Sequence, residues 1–266
     1  MPPSDSTAAP TDPVADVRRV ALVTGAGRGI GRGVAVRLSQ QGYRVALTAR
    51  SEDELRTTAD ACAGEALVLP ADMLDPAAPG AVVDAIEAAW GAPSVLVANA
   101  GEGLSSPIGR YPDDMWERQL ALNLTAPFRC VRRTAPAMVD AGWGRLVVVA
   151  SMAAKRGEPY IAGYTAAKHG VLGLVRSVAA ELARTGVTAN AVCPAYVDTA
   201  MTDGTVATIV AQTGRSPEEA RTILERKQPI GRLVTVDEVV EAVWFCVVNG
   251  AVTGQGLNVD GGAVQG

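Results

Sequence analysis

Tyr164 and Lys168 stand four residues apart in the stretch Tyr164-Thr165-Ala166-Ala167-Lys168. On a helix that spacing places a phenol and an ammonium one above the other on the same face. A free tyrosine titrates at about 10 and exchanges protons poorly at neutral pH, but a fixed cation beside it favours the phenolate and draws that value down. Such a phenol can serve as a general acid or base. Four more positions, Gly25, Asp72, Asn99 and Ser151, come just after or at the end of apolar runs. If those runs are parallel strands, the four residues converge on the crevice beyond the strands' carboxyl ends.

The runs do have the character of strands. Val20–Thr24 is apolar without polar alternation, the mark of a strand buried on both faces. Residues 44–49, 66–69, 94–98, 145–151, 188–191 and 256–259 complete the set, and helical patterns at 79–90, 112–140, 160–184 and 236–248 lie between them. This alternation predicts a single α/β domain, a doubly wound parallel sheet of about seven strands with helices on both faces. Residues 199–232, with two short helical patterns, have the form of a lid over a site. Pro127 follows Asn123 by one turn and predicts a bend there, because proline removes a backbone hydrogen bond. Ala162, Ala166, Gly170, Gly173 and Ser177 form a stripe of small residues that lets another helix approach closely.

The first strand runs directly into Thr24-Gly25-Ala26-Gly27-Arg28-Gly29-Ile30-Gly31 and then a helix. Glycines at a strand-to-helix turn let a pyrophosphate reach the backbone and the positive end of the helix. Ser51, with Glu54 three residues on, predicts a capping box for the next helix. The second strand ends in Ala49-Arg50, where a site for an unphosphorylated ribose carries an acid; an arginine there suits a 2′-phosphate, hence NADPH/NADP in preference to NADH.

A formal charge of −4 gives no electrostatic case for nucleic acid or an anionic membrane, and no apolar run reaches membrane-spanning length. A small-molecule partner is expected instead. Cys62, Cys130, Cys193 and Cys246 have no C-x-x-C spacing and His169 is the single histidine, so neither a metal site nor a disulfide framework is predicted. The four read as reduced, buried thiols of a cytoplasmic protein. Residues 1–17 read as a disordered tail with no secretory signal, and 18–266 as the domain.

Thr24-Gly25 with Gly29 and Gly31, Asp72, Asn99-Ala100-Gly101, Asn123, Ser151, Tyr164, Lys168 and the stretch 194–199 occur in one order. In that order the chain resembles the short-chain dehydrogenase/reductase family, from about residue 19 to residue 262. The resemblance implies a Rossmann fold and hydride transfer between a nicotinamide and a carbonyl or alcohol. It gives Tyr164 the proton, has Lys168 hold the ribose and depress the tyrosine pKa, Ser151 bond the substrate oxygen, and Asn123 fix a water of a proton relay. Arg28 and Arg50 resemble the paired basic residues of NADPH-preferring members. Asp72 and the Met73 amide would take the adenine, and Val197 and Thr199 the carboxamide. Thr24, Gly25, Gly29, Ile30, Gly31, Asn99, Ala100, Gly101 and Pro194 complete the cofactor set. Ala195 departs from the glycine usual after Pro194. His169 points about 100° away from Lys168 on a helix and is read as structural, while Glu102, Ser105, Tyr160 and Tyr196 are open between pocket lining and packing.

Residues 181–186, 190–194 and 229–232 and the tail after Asn258 are similar to the 3-oxoacyl and polyketide ketoreductases of that family. The implied reaction is NADPH-dependent reduction of a 3-oxoacyl thioester or small ketone to a secondary alcohol. Such reductases carry basic residues for an acidic carrier protein where this chain has Gly142-Trp143 and Thr185, which favours a freely diffusing ketone. The alternatives are a secondary-alcohol or 3-hydroxyacyl-CoA dehydrogenase working in the oxidative direction, or a non-catalytic nicotinamide-binding module. The small-residue stripe resembles the contact through which family members form tetramers, with a homodimer as the alternative.

Overall fold

A computed structural model describes residues 19–265 of the chain; the tail expected at 1–17 lies outside the described residues. In chain order the elements are β1 (Val20–Thr24), α1 (Gly29–Gln40), β2 (Arg44–Thr48), α2 (Glu52–Asp60), β3 (Ala66–Val68), α3 (Ala78–Trp90) and β4 (Val95–Ala98). Then follow α4 (Asp113–Leu120), a π turn (Ala121–Thr125), α5 (Ala126–Asp140), β5 (Gly144–Val149), α6 (Ala162–Leu182) and β6 (Val187–Pro194). The chain closes with α7 (Ala200–Thr213), α8 (Pro217–Arg226), α9 (Val236–Val248) and β7 (Gly256–Val259). The strands form one sheet in the order β3-β2-β1-β4-β5-β6-β7, parallel at every pairing.

The uninterrupted apolar character of the strands follows from helices on both faces. Side chains alternate sides along a strand. Val20 and Leu22 of β1, Leu96 and Ala98 of β4, and Leu146 and Val148 of β5 point to one core, with Val82, Val83 and Ile86 of α3, Cys130 and Val131 of α5, and Val171, Leu172 and Val175 of α6. Ala21, Val23, Val95, Val97, Val147 and Val149 point to the other, with Val34, Ala35 and Leu38 of α1 and Val239, Val240 and Val243 of α9. The order reverses between β1 and β4, where Val23 lies between Leu47 of β2 and Val97 of β4. In open α/β sheets ligands bind at such a reversal.

The structure refines several expectations. The sixth strand is twice the length expected, reaching Pro194 because its far end pairs with Val259 of β7. The bend near Asn123 takes the form of the π turn, in which the Ala126 N–H reaches back five residues to the Ala121 carbonyl. Pro127 has no N–H to return to Asn123, so a regular α-helix cannot continue through it. The small-residue stripe is used unevenly. Gly170 abuts Leu124 of the π turn, but the Gly173 and Ser177 end is exposed. Cys130, Cys193 and Cys246 are free and buried, whereas Cys62, just after α2, is only half-buried.

Candidate active site

The nucleotide half of the crevice is built from backbone. The Thr24 hydroxyl accepts hydrogen bonds from the Asn99 and Ala100 amides at 3.0 and 2.9 Å, and Asn99 Nδ2 donates to the Thr24 and Gly25 carbonyls at 3.0 and 3.2 Å. The ends of β1 and β4 are thereby tied together. Two glycines make this approach possible. Gly25 has φ 65°, and a Cβ there would sit 2.8 Å from Asn99 Nδ2; a Cβ on Gly31 would lie 2.1 Å from the Gly25 carbonyl oxygen. Helix α1 then opens at Gly29 with Arg28 as N-cap, without a capping side chain and without an acid in its first turn. Its first N–H groups are available to an anion, which the helix end favours. Ile30 and Gly31 continue that turn, and Thr199 lies against Gly29.

Arg28 and Arg50 are both exposed at the rim. The capping box expected at α2 is only half formed. Ser51 accepts from the Glu54 amide, but the Glu54 carboxylate turns to Arg28 at 3.6 Å, so the basic rim draws it away from the helix end. Asp72 is exposed with Oδ1 on the Leu74 amide, and the Met73 side chain belongs to the core. Val197 is buried and bridges Val234, and Thr199 precedes α7 in extended backbone without a side-chain cap, its hydroxyl donating to the Val197 carbonyl at 3.3 Å. Ala195, which stands where a glycine was expected, has no positive φ, so its backbone conformation does not require one.

The chemical half is buried. Ser151 stands two residues beyond β5, at the start of the passage to α6, and accepts from the Ala153 amide at 3.1 Å. Tyr164, on the first turn of α6, is half-buried beside Ser151. The Lys168 ammonium donates to the Val149 carbonyl at 2.9 Å and lies 5.5 Å from the centre of the Tyr164 ring. The expected lowering of the phenol by Lys168 is not found. Desolvation pushes Tyr164 up, the Ser151 hydroxyl beside it opposes this, and Tyr196 and Cys193 add to the rise. Burial also draws Lys168 down to about 8. The reason is that two desolvated groups each disfavour their charged form before they influence one another. His169 is exposed and its Nδ1 meets the Thr165 carbonyl at 2.9 Å, away from Lys168.

Asn123 is fully buried in the π turn, and Gly101 lies between it and Lys168. Of the open positions, Glu102 forms a two-point ion pair with Arg118 while its carbonyl accepts from Asn123 Nδ2 at 3.0 Å. Ser105 is exposed. Tyr196 receives Lys227 Nζ at 3.4 Å. Tyr160 is 65% exposed at φ 69°, the single non-glycine residue with positive φ among those described, and its carbonyl accepts from the Ser106 amide at 2.7 Å. Strained backbone of this kind concentrates at functional sites.

Sequence reasoning missed Gln119 and Tyr111. Gln119 Oε1 accepts from Asn123 Nδ2 at 3.2 Å, and the Tyr111 hydroxyl accepts from the Gly163 amide in the first turn of α6 at 3.3 Å. The four-residue spacing of Gln119 and Asn123 was a usable signal; Tyr111, 52 residues from its partner, offered none. Among the described residues no group of three or more His, Cys, Asp or Glu could hold a metal, and no helix is long and apolar enough to cross a membrane.

A family model described as short chain dehydrogenase matches residues 19–209. A protein of Streptomyces coelicolor named as a ketoacyl reductase is 40% identical over 250 residues, covering 91% of this chain and 96% of the relative. A D-beta-hydroxybutyrate dehydrogenase of Rhizobium meliloti is 32% identical over 252 residues, covering 92% and 98%. A crystal structure of a single-site variant of actinorhodin polyketide ketoreductase with NADPH superimposes with a TM-score of 0.88 at 39% identity, covering 92% of this chain and 97% of that one.

Proposed function

The chain belongs to the short-chain dehydrogenase family, and from that premise we propose that it is an NADPH-dependent ketoreductase in which Tyr164 delivers the proton. The supporting observation is one cluster: the half-buried Tyr164 phenol beside the buried Ser151, with the buried Lys168 ammonium 5.5 Å from its ring. Burial holds the phenol protonated at neutral pH, which is the form a general acid needs. Ser151 and Tyr164 present hydroxyl donors where a ketone oxygen gains negative charge, and donors in a dry site stabilise that charge most. Lys168 adds a positive charge beneath the phenol as its proton leaves, and Asn123 fixes a water behind Lys168.

The cradle fits a dinucleotide, because Gly25 and Gly31 leave room that a Cβ would fill and the α1 N-terminus carries no acid. Bound there, NADPH supplies the hydride. Thr24, Gly25, Gly29, Ile30 and Gly31 would hold its phosphates, Arg28 and Arg50 its 2′-phosphate, and Asp72 and Met73 its adenine. Asn99, Ala100, Gly101, Tyr164 and Lys168 would hold the nicotinamide ribose, and Pro194, Val197 and Thr199 the carboxamide. The named ketoacyl reductase and polyketide ketoreductase relatives support a 3-oxoacyl or similar ketone. Thr185 and Gly142-Trp143, which supply no cation, favour a CoA ester or free ketone over a carrier-bound one. We place the enzyme in the cytoplasm, as a homotetramer joined through the exposed faces of α5 and α6.

Tyr164→Phe tests this reading, assayed by NADPH oxidation with acetoacetyl-CoA, a cyclic ketone and a carrier-bound 3-oxoacyl thioester. The expected result is a loss of at least about a hundredfold in kcat with NADPH affinity preserved. Retention of most of the rate would overturn it; turnover of secondary alcohols alone would move the assignment to the oxidative direction that the D-beta-hydroxybutyrate dehydrogenase relative represents.

A further inference from the structure

Gln119, in the last turn of α4, and Asn123, in the π turn, are both 0% exposed and lie one turn apart on the stretch that packs against α6. Three oxygens surround Asn123 Nδ2: the Glu102 carbonyl at 3.0 Å, the Gln119 carbonyl at 3.2 Å and Gln119 Oε1 at 3.2 Å. That set fixes both amides. An amide oxygen turned into the place of Asn123 Nδ2 would face only oxygens, and an amide nitrogen in the place of Gln119 Oε1 would face another donor. Asn123 Oδ1 and Gln119 Nε2 therefore point elsewhere, and both are buried without a hydrogen-bond partner. A buried group left unpaired in this way destabilises the fold unless a partner satisfies it.

The two unpaired groups are complementary, one an acceptor and one a donor. Asn123 Oδ1 and the catalytic lysine border the same glycine. The amide oxygen lies 2.8 Å, and Lys168 Nζ 3.7 Å, from the same point, the Cβ position of Gly101. Lys168 has three N–H donors and spends one on the Val149 carbonyl. A buried water typically makes about three hydrogen bonds, and these three groups supply them.

We propose that Gln119 is a positioning residue for Lys168: with Asn123 it holds one buried water that accepts from Gln119 Nε2, donates to Asn123 Oδ1 and receives a hydrogen bond from the ammonium. This rests on the reading that Asn123 and Lys168 serve the proton delivered by Tyr164, and extends that assembly one turn deeper into α4. The water offsets part of the burial that disfavours the Lys168 charge. The titratable groups facing Lys168 are Tyr164 on its own helix and Cys193 on β6.

The test combines a high-resolution crystal structure of the NADPH-bound enzyme with the pH dependence of kcat for Gln119→Met and Gln119→Glu. A water within hydrogen-bonding distance of both Gln119 Nε2 and Asn123 Oδ1 is expected, and an empty or apolar contact there overturns the proposal whatever the activity shows. Gln119→Met should shift the alkaline fall of kcat down by about one pH unit, a tenfold change in the proton equilibrium, and Gln119→Glu should shift it up, since an acid near the ammonium favours its charge. Gln119 as mere packing would leave the position of that fall unmoved in both. If Tyr164→Phe kept its rate while the water was present, the proton assignment would fail and the water site would stand.

Discussion

The two halves of the crevice use opposite materials. The nucleotide half, around β1, α1 and β2, is made of backbone, three glycines and exposed arginines, and its side-chain hydrogen bonds tie strand ends to each other. The chemical half, around β5, the π turn and α6, is made of buried polar side chains whose ionisation is displaced or whose bonding is incomplete. Binding a phosphate needs space and partial charge that a folded backbone supplies at little cost. Moving a proton needs groups held out of water, and that is obtained at the expense of stability.

If this contrast holds, substitutions in the first half act on folding and cofactor binding, and those in the second trade activity against stability. The largest effect is expected for Gly31→Ala. Its methyl would meet the Gly25 carbonyl at 2.1 Å, a backbone clash that no rotamer relieves. Loss of about 4 kcal/mol or more, read by denaturant unfolding, and loss of NADPH binding are expected; a normally stable, cofactor-binding variant would show that the cradle is softer than described.

Lys168→Met should behave in the reverse way. The folded-state pKa of about 8 lies below the ordinary 10.5, so the ammonium opposes folding fully below pH 8 and progressively less from there to pH 10.5. Stability of the native protein should therefore rise with pH across that window. The methionine variant should lose turnover, lose that rise, and gain up to about 3 kcal/mol at pH 7, less the value of the bond to Val149. Urea titrations at pH 7 and 10 measure it, and a destabilised variant at pH 7 would remove the stability cost from the comparison. The smallest effect belongs to Arg50→Asp at the exposed rim, where NADPH should weaken about tenfold relative to NADH with Tm unchanged. An unaltered cofactor ratio would leave Arg50 without a part in the cradle.

What was legible in the sequence divides along the same line. Strand and helix order could be read throughout because burial on both faces leaves unbroken apolar runs, and Gly25, Gly29 and Gly31 announce a turn that only small residues tolerate. Tyr164 and Lys168 were visible because both lie on one helix. The half-formed cap at Ser51 was not legible, since the choice of Glu54 between a helix end and Arg28 depends on where α1 begins. Nor was the direction of the Tyr164 shift, because spacing conveys proximity to a cation but not loss of water. Gln119 could have been singled out by its four-residue spacing from Asn123, but its burial, at 0% exposure, could not be read from the sequence.

The sheet order also has a meaning for the growing chain. β3, β2 and β1 are complete once Val68 has been made, yet the inner edge of β1 stays open until Val95 pairs with Ala21, and β6 waits for Gly256 to reach Ala191. At about 5–20 residues per second an unpaired apolar strand edge persists for seconds on the ribosome. Newly made chains are thus most exposed to strand-to-strand association with one another in that interval, and a chaperone that shields β1 until β4 arrives would raise the yield of folded protein without altering its stability.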